Sequence, residues 1–242
     1  MQSAEHPPVA LVAGGVRGLG LASARALAAR GARVWILYRS SHAAARALES
    51  EFDGRVLQAD LCAPGAAERA LERVLARDGR LDSAVHAVGD YESGALLETE
   101  PAALRALWQS NVESALLYAR AVQAPLRSAR GSLVFFGCAG LEGLRGKRTV
   151  AGYAMAKSAL LVLARSLALE LAPQVRVNVV SPGLVPHEHA HPDSSAERLV
   201  ARVPLQRVGT PAEVGETVAW LCSPQASYVT GADVPVSGGW LL

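Results

Sequence analysis

Tyr153 and Lys157 stand four residues apart in the segment Tyr153-Ala154-Met155-Ala156-Lys157. At that spacing two side chains project from one face of a helix. A compact ammonium beside a phenol favours the phenolate. The pair is therefore expected to hold the tyrosine pKa below its ordinary value near ~10 and to make it an acid–base group. Of the 24 basic residues only Lys147 and Lys157 are lysine, all others being arginine. A chain that so favours the planar guanidinium has placed a small point charge one helical turn beyond a tyrosine. The competing reading is a polar pair at the edge of an amphipathic helix. What decides is whether the rest of the chain builds a site in front of the pair.

A second cluster suits phosphate chemistry. The first apolar run leads straight into Ala13-Gly14-Gly15-Val16-Arg17-Gly18-Leu19-Gly20. Glycines between a strand and a helix let backbone approach a pyrophosphate at the helix N-terminus, so Gly14, Arg17, Gly18, Leu19 and Gly20 are candidate nucleotide contacts. Their spacing, Gly14-x-x-x-Gly18-x-Gly20, differs from the commoner G-x-G-x-x-G. The second run ends Leu37-Tyr38-Arg39-Ser40, where an NAD-selective fold usually carries an acidic residue for the ribose 2′-hydroxyl. Arg39, with Arg17 in reach and Ser40 beside it, suits a 2′-phosphate instead, so the expected cofactor is NADP(H). Asp60-Leu61, after the third run, is placed to meet the adenine ring. His187-Glu188-His189-Ala190-His191 has the look of a metal-ligand set, but it lies in a loop and the chemistry needs no metal, so none is expected.

These residues need elements to hold them. Short apolar runs at Val9–Ala13, Arg33–Tyr38, Arg55–Gln58, Asp82–Val88, Ser132–Phe136, Val175–Val180 and Asp233–Val236 read as strands. Helical patterns fall between them at Leu19–Arg30, Ala43–Glu51, Gly65–Arg77, Ala102–Arg127, Val150–Leu171 and Pro211–Cys222. Thr210-Pro211-Ala212-Glu213 is an N-cap with proline at N1 and glutamate at N3. Continuously apolar strands alternating with helices predict an α/β fold with a doubly wound parallel sheet, helices on both faces, as one domain over residues 1–242. Residues 184–204, rich in proline and histidine, are expected to form a substrate loop with a short helix near Ser195–Arg202.

Composition narrows the setting. Half the 242 residues are hydrophobic and the net charge is +2, so no basic field points to nucleic acid. No apolar run approaches the ~20 residues that span a membrane, and no signal-type segment opens the chain. Cys62, Cys138 and Cys222 have no metal or redox spacing. A soluble, cytoplasmic protein is expected.

Taken together, the glycine turn, Asp60, Asn111, Tyr153, Lys157, Ser181-Pro182-Gly183 and Gly231…Ser237-Gly238-Gly239 resemble the short-chain dehydrogenase/reductase superfamily, in family order and across nearly the whole chain. The resemblance implies a Rossmann fold, a small-molecule substrate and a homo-oligomer, a tetramer or a dimer. It implies that Tyr153 exchanges a proton with the substrate, and that Lys157 lowers its pKa and binds the nicotinamide ribose. Asn111 would hold a relay water, while Gly89, Pro182 and Gly183 flank the cofactor. Three features depart from the family. Its catalytic serine falls on Cys138 when aligned by the preceding strand, or on Gly137 when aligned by the following glycine. His86-Ala87-Val88-Gly89 replaces Asn-Asn-Ala-Gly. Pro186-His187 replaces a threonine that binds the carboxamide. His86 is read as a packed histidine rather than an acid–base group.

Tyr38-Arg39-Ser40-Ser41, Gln58-Ala59-Asp60-Leu61 and the stretch from Leu221-Cys222-Ser223 to Thr230-Gly231 are similar to the pteridine-reductase-like branch. That branch also lacks the serine, carrying aspartate where Cys138 stands, and sets an aromatic residue where Tyr91 stands. The substrate candidates are Tyr91, Cys138, Leu184 and His187. The expectation is a reductase of a carbonyl or related C=X group. A pteridine or dihydrofolate reductase and a non-catalytic NADP(H)-binding protein are the alternatives.

Overall fold

Seven strands join one parallel sheet in the computed structural model, which describes residues 7–141, 146–186 and 198–240. They are β1 (Val9–Ala13), β2 (Arg33–Tyr38), β3 (Val56–Gln58), β4 (Ser83–His86), β5 (Ser132–Phe136), β6 (Arg176–Pro182) and β7 (Asp233–Val236), in the order β3-β2-β1-β4-β5-β6-β7. The helices are α1 (Gly18–Ala29), α2 (His42–Leu48), α3 (Ala66–Asp78), α4 (Pro101–Trp108), α5 (Ser114–Ala129), α6 (Ala151–Leu171) and α7 (Pro211–Cys222).

Strand side chains alternate between faces, so each strand divides its residues between two cores. Val9, Leu11 and Ala13 of β1 pack with Val74 of α3, Tyr118 and Val122 of α5 and Leu160 of α6. Ala10 and Val12 pack the other way, with Ala24 and Leu27 of α1, Leu48 of α2 and Val218 of α7. Both faces are covered, and this is why the strands read as unbroken apolar runs rather than as alternating ones.

The doubly wound α/β fold expected from the sequence is present. Boundaries differ by a residue or two for most elements; β4 is shorter than the expected run because the chain leaves the ladder at Ala87 to cross the site. The stop of α1 before Gly31, with φ +85, matches the helix end expected at Arg30. So does the capping box of α7, where Thr210 Oγ1 accepts from Glu213 N at 3.3 Å and Glu213 Oε2 accepts from Thr210 N at 2.8 Å.

One helix was not continuous as expected. The run over 102–127 is α4, then a π turn at Gln109–Glu113, then α5. Such turns widen a helix locally and collect at functional sites. Of the expected loop helix, residues 198–200 are helical; His187, His189 and His191 lie outside the described residues. Among the described residues no helix is long and apolar enough to cross a membrane.

Candidate active site

In this sheet the strand order reverses between β1 and β4, and ligands bind such folds beyond the carboxyl ends of the strands at that point. The candidate residues converge there. Gly14 follows β1, Arg39 follows β2, Asp60 follows β3, Gly89 follows β4, Cys138 follows β5, and Pro182-Gly183 closes β6.

On the side of β2 and β3, a cleft of about 240 Å³ is lined by Gly14, Arg17, Arg39, Ser40, Asp60 and Leu61. The turn beneath it is very tight: a Cβ on Gly20 would stand 2.2 Å from the Gly14 carbonyl oxygen. Only backbone fits, which leaves the start of α1 open to a phosphate. Arg39 and Arg17 share this cleft, and Arg39 lies 3.8 Å from the Asp90 carboxylate across it. Asp60 Oδ1 accepts from Cys62 N at 3.0 Å, so the aspartate also shapes its own turn.

On the other side, α6 presents Tyr153 and Lys157 from successive turns. Lys157 is buried and its ammonium donates to the Phe136 carbonyl at 2.8 Å, where β5 ends. Burial lowers its pKa from 10.5 to about 8, with Cys138 opposing the shift. Tyr91 meets the Tyr153 ring edge-on at 5.1 Å between centroids. Asn111, in the π turn, donates from Nδ2 to the Asp90 and Leu107 carbonyls, each at 3.0 Å. Its Oδ1 is buried without a partner. Gly89, with φ +154, joins these groups. A Cβ there would lie 2.2 Å from Asn111 Oδ1 and 3.3 Å from Lys157 Nζ, so both polar groups converge on a backbone with no side chain.

The enoyl-(acyl carrier protein) reductase family model matches residues 13–241. The chain belongs to the short-chain dehydrogenase/reductase superfamily. It is 32% identical to 3-oxoacyl-(acyl-carrier-protein) reductase FabG of Escherichia coli K12, with 97% of each chain covered. It is 34% identical to the corresponding reductase MabA of Mycobacterium bovis, covering 95% of this chain and 91% of that one. Among solved structures it superposes on a blue fluorescent protein from a metagenomic library in complex with NADPH. That match has a TM-score of 0.91 and 31% identity and covers 99% and 100% of the two chains. This short-chain dehydrogenase/reductase is accordingly an oxidoreductase of a nicotinamide-dependent superfamily.

Within that frame one expectation is corrected. Lys157 does not hold the Tyr153 phenol below its ordinary range; burial pushes it up, and Cys138 and Tyr91 add to the shift. The reason is that the ammonium is committed to Phe136 O and is itself desolvated, standing 5.7 Å from the tyrosine ring centre.

Position 138 also resolves against position 137. A Cβ on residue 137 would meet Ser181 Oγ at 2.4 Å and Val179 Cγ1 at 2.8 Å, so no side chain fits there. Cys138 is thus the residue of the two with room for a side chain, its Sγ 3.6 Å from the Ala139 carbonyl. Leu184 is fixed by the Gly209 N–H, which donates to its carbonyl at 2.9 Å. His86 is fully buried, as a packed histidine would be, and burial holds its pKa down to about 3.

Sequence reasoning missed three contributors. The Phe136 carbonyl carries no residue-type signal. Asp90 acts on Asn111 through its backbone, which spacing does not show. Ser110 and Ser114, a serine pair at helical spacing, were visible but unremarkable.

Proposed function

We propose that this chain is an NADPH-dependent reductase of a carbonyl or related C=X group on a small molecule. The observation that carries the reading is the convergence of buried Lys157 and the orphaned Asn111 Oδ1 on Gly89 at the sheet's switch point, with the Tyr153 ring 5.7 Å from the same ammonium. The residues present fit an NADP(H) nucleotide. The glycine turn admits a pyrophosphate, and Arg17 and Arg39 line a cleft suited to a 2′-phosphate. The solved relative in complex with NADPH supports the same cofactor. When bound, NADPH supplies the hydride from nicotinamide C4.

The chain's own work is the proton. Tyr153 Oη, whose raised pKa keeps it a protonated phenol, donates it to the substrate heteroatom, with the Lys157 ammonium 5.7 Å from its ring. Asn111 Oδ1, otherwise unpaired, accepts from the donor that resupplies the site. Cys138 replaces the hydroxyl that other members aim at a developing oxyanion, and a thiol is a weak donor. A C=N bond develops no oxyanion, and Tyr91, seated against Tyr153, offers a ring to a flat heterocycle. Those two observations favour a pteridine-type substrate as the second reading. Trp108 of α4 and Met155, Val162 and Leu169 of α6 are exposed, which supports a homo-oligomer.

The test is oxidation of NADPH and NADH against ketones, enones, quinones and dihydrobiopterin. Turnover with NADPH preferred is expected, and Tyr153→Phe should cut kcat by about 10²–10⁴. Tight NADPH binding with no turnover of any of these would overturn the reading.

A further inference from the structure

His86 ends β4 in full burial and takes no part in the chemistry above. Its ring lies between Tyr118 and Phe135, at 5.8 and 6.0 Å between centroids. Packing alone would be served by leucine or phenylalanine, yet one ring nitrogen is used. Nε2 lies 3.0 Å from Ser114 Oγ, while Nδ1 makes no well-formed hydrogen bond and meets only the backbone of its own residue.

The hydrogen positions follow from the partners. Ser114 Oγ is 2.6 Å from the Ser110 carbonyl, which can only accept. The one serine proton must therefore point there, and a lone pair is left facing His86. The imidazole has to donate, which makes it the neutral Nε2–H tautomer with a bare Nδ1. Both serines flank the π turn, Ser110 within it and Ser114 at its exit. Ser110 is held on its other side too: its hydroxyl accepts from Asp90 N at 3.1 Å and from Asn111 Nδ2 at 3.3 Å. Asn111 is the next residue. A rigid link thus runs from the end of β4, through His86, Ser114 and Ser110, to the carboxamide beside Gly89.

We propose that His86 is a positioning residue for Asn111: its Nε2–H orients the Ser114 hydroxyl onto the Ser110 carbonyl and so sets the π turn that aims Asn111 Oδ1 at Gly89 and Lys157. The link explains why a polar ring is kept in an apolar core. It acts as a strut rather than as a proton carrier, because its tautomer is set by a hydroxyl whose own proton is engaged elsewhere. The catalytic meaning of Asn111 rests on the reductase reading; the tautomer and the strut do not.

Chain geometry supplies the test. A glutamine amide reaches the Nε2 position and can donate to Ser114, whereas leucine fills the space without a donor. Long-range ¹H–¹⁵N spectra of the wild-type protein should show His86 as the neutral Nε2–H tautomer, unchanged between about pH 6 and 8. An Nδ1–H tautomer overturns the proposal. Hydrogen exchange of the Asn111 side-chain amide should quicken by about tenfold in His86→Leu and return towards the wild-type rate in His86→Gln. With a substrate in hand, kcat should follow the same order, falling by about tenfold in the leucine variant while the KM for NADPH stays unchanged. Equal behaviour of the glutamine and leucine variants overturns the strut. Should His86→Leu fail to fold, Ser114→Ala breaks the link with the ring in place and should quicken the same exchange; no change there also overturns the proposal. The amide readout needs no turnover, so a chain that reduces nothing would sink the reductase reading and leave this test standing.

Discussion

Burial holds the Lys157 ammonium at about 8 against an ordinary 10.5, and it donates to the neutral Phe136 carbonyl. Between those two values the unfolded chain binds a proton that the folded chain has released, so stability rises with pH across that window. Below about 8 the folded state carries the full cost of the buried charge, roughly 3 kcal/mol by linkage. Lys157→Met should therefore stabilise the fold at pH 7 by a net of about 1–2 kcal/mol once the orphaned Phe136 carbonyl is allowed for, read as a higher melting temperature. The gain should shrink as the pH approaches 10, and turnover should be lost; calorimetry across that range checks the sign. Cys138 poses the converse question. Cys138→Ser puts a true hydroxyl donor in the place after β5, and kcat on ketones should rise by about tenfold or more. No increase would show that the substrate never needed the donor. His86 and Asn111 belong to the same scale, as the two groups among the described residues with a buried side-chain polar atom that makes no hydrogen bond.

Elements turn these side chains into a site, and two of them do so by departing from regularity. The π turn between α4 and α5 lets Asn111 face inward from what the sequence reads as one amphipathic helix. Hydrophobic spacing was satisfied on both sides of the turn, so periodicity had no means of showing the extra residue. The glycine turn was legible, because glycine at a strand–helix junction has few other uses. Gly20 is the sharper case: its φ lies in no special region, and what it lacks room for is a side chain against the Gly14 carbonyl. Gly20→Ala should open that turn, weakening NADPH binding at least tenfold and costing about 1–3 kcal/mol of stability. Fluorescence titration with NADPH and urea unfolding measure the two effects, and wild-type binding would remove the turn from the nucleotide site. The cap of α7 was equally readable, since Thr210 and Glu213 interact within four residues.

Across the whole molecule, long-range polar links lock the sheet to its helices. The Asp78 side chain, at the end of α3, is 1% exposed and accepts from Trp35 Nε1 at 2.7 Å, with Arg33 and Arg55 each at 3.2 Å. Burial pushes its carboxyl up, but the three donors outweigh burial and hold it below its ordinary 3.8. Its contribution is thus present above about 3.8, the unfolded value, and is lost as the pH falls through the lower folded value. Asp78→Ala leaves the Trp35 Nε1–H unpaired and Arg55 with only the exposed Asp53, and should cost about 2–3 kcal/mol, read as a lower urea midpoint with unchanged slope. The pairing joins residues from β2, the residue before β3 and α3, and no local pattern in the chain announces it.

The alternation of apolar strands with amphipathic helices is a local property, and so are the glycine turn, the Tyr153–Lys157 spacing and the Thr210 cap. From these the doubly wound sheet, the tight strand–helix turn at its switch point and the helix that carries Tyr153 and Lys157 could be read off the chain. Tertiary structure alone decided the rest, because each remaining question depends on groups distant in sequence. Whether residue 137 or 138 has room for a side chain depends on Ser181. How the tyrosine titrates depends on what buries it and on the carbonyl that occupies its lysine. What His86 does depends on a serine 28 residues away. Spacing fixes which side chains share a face of one element; desolvation and hydrogen bonding between elements fix what those side chains can do.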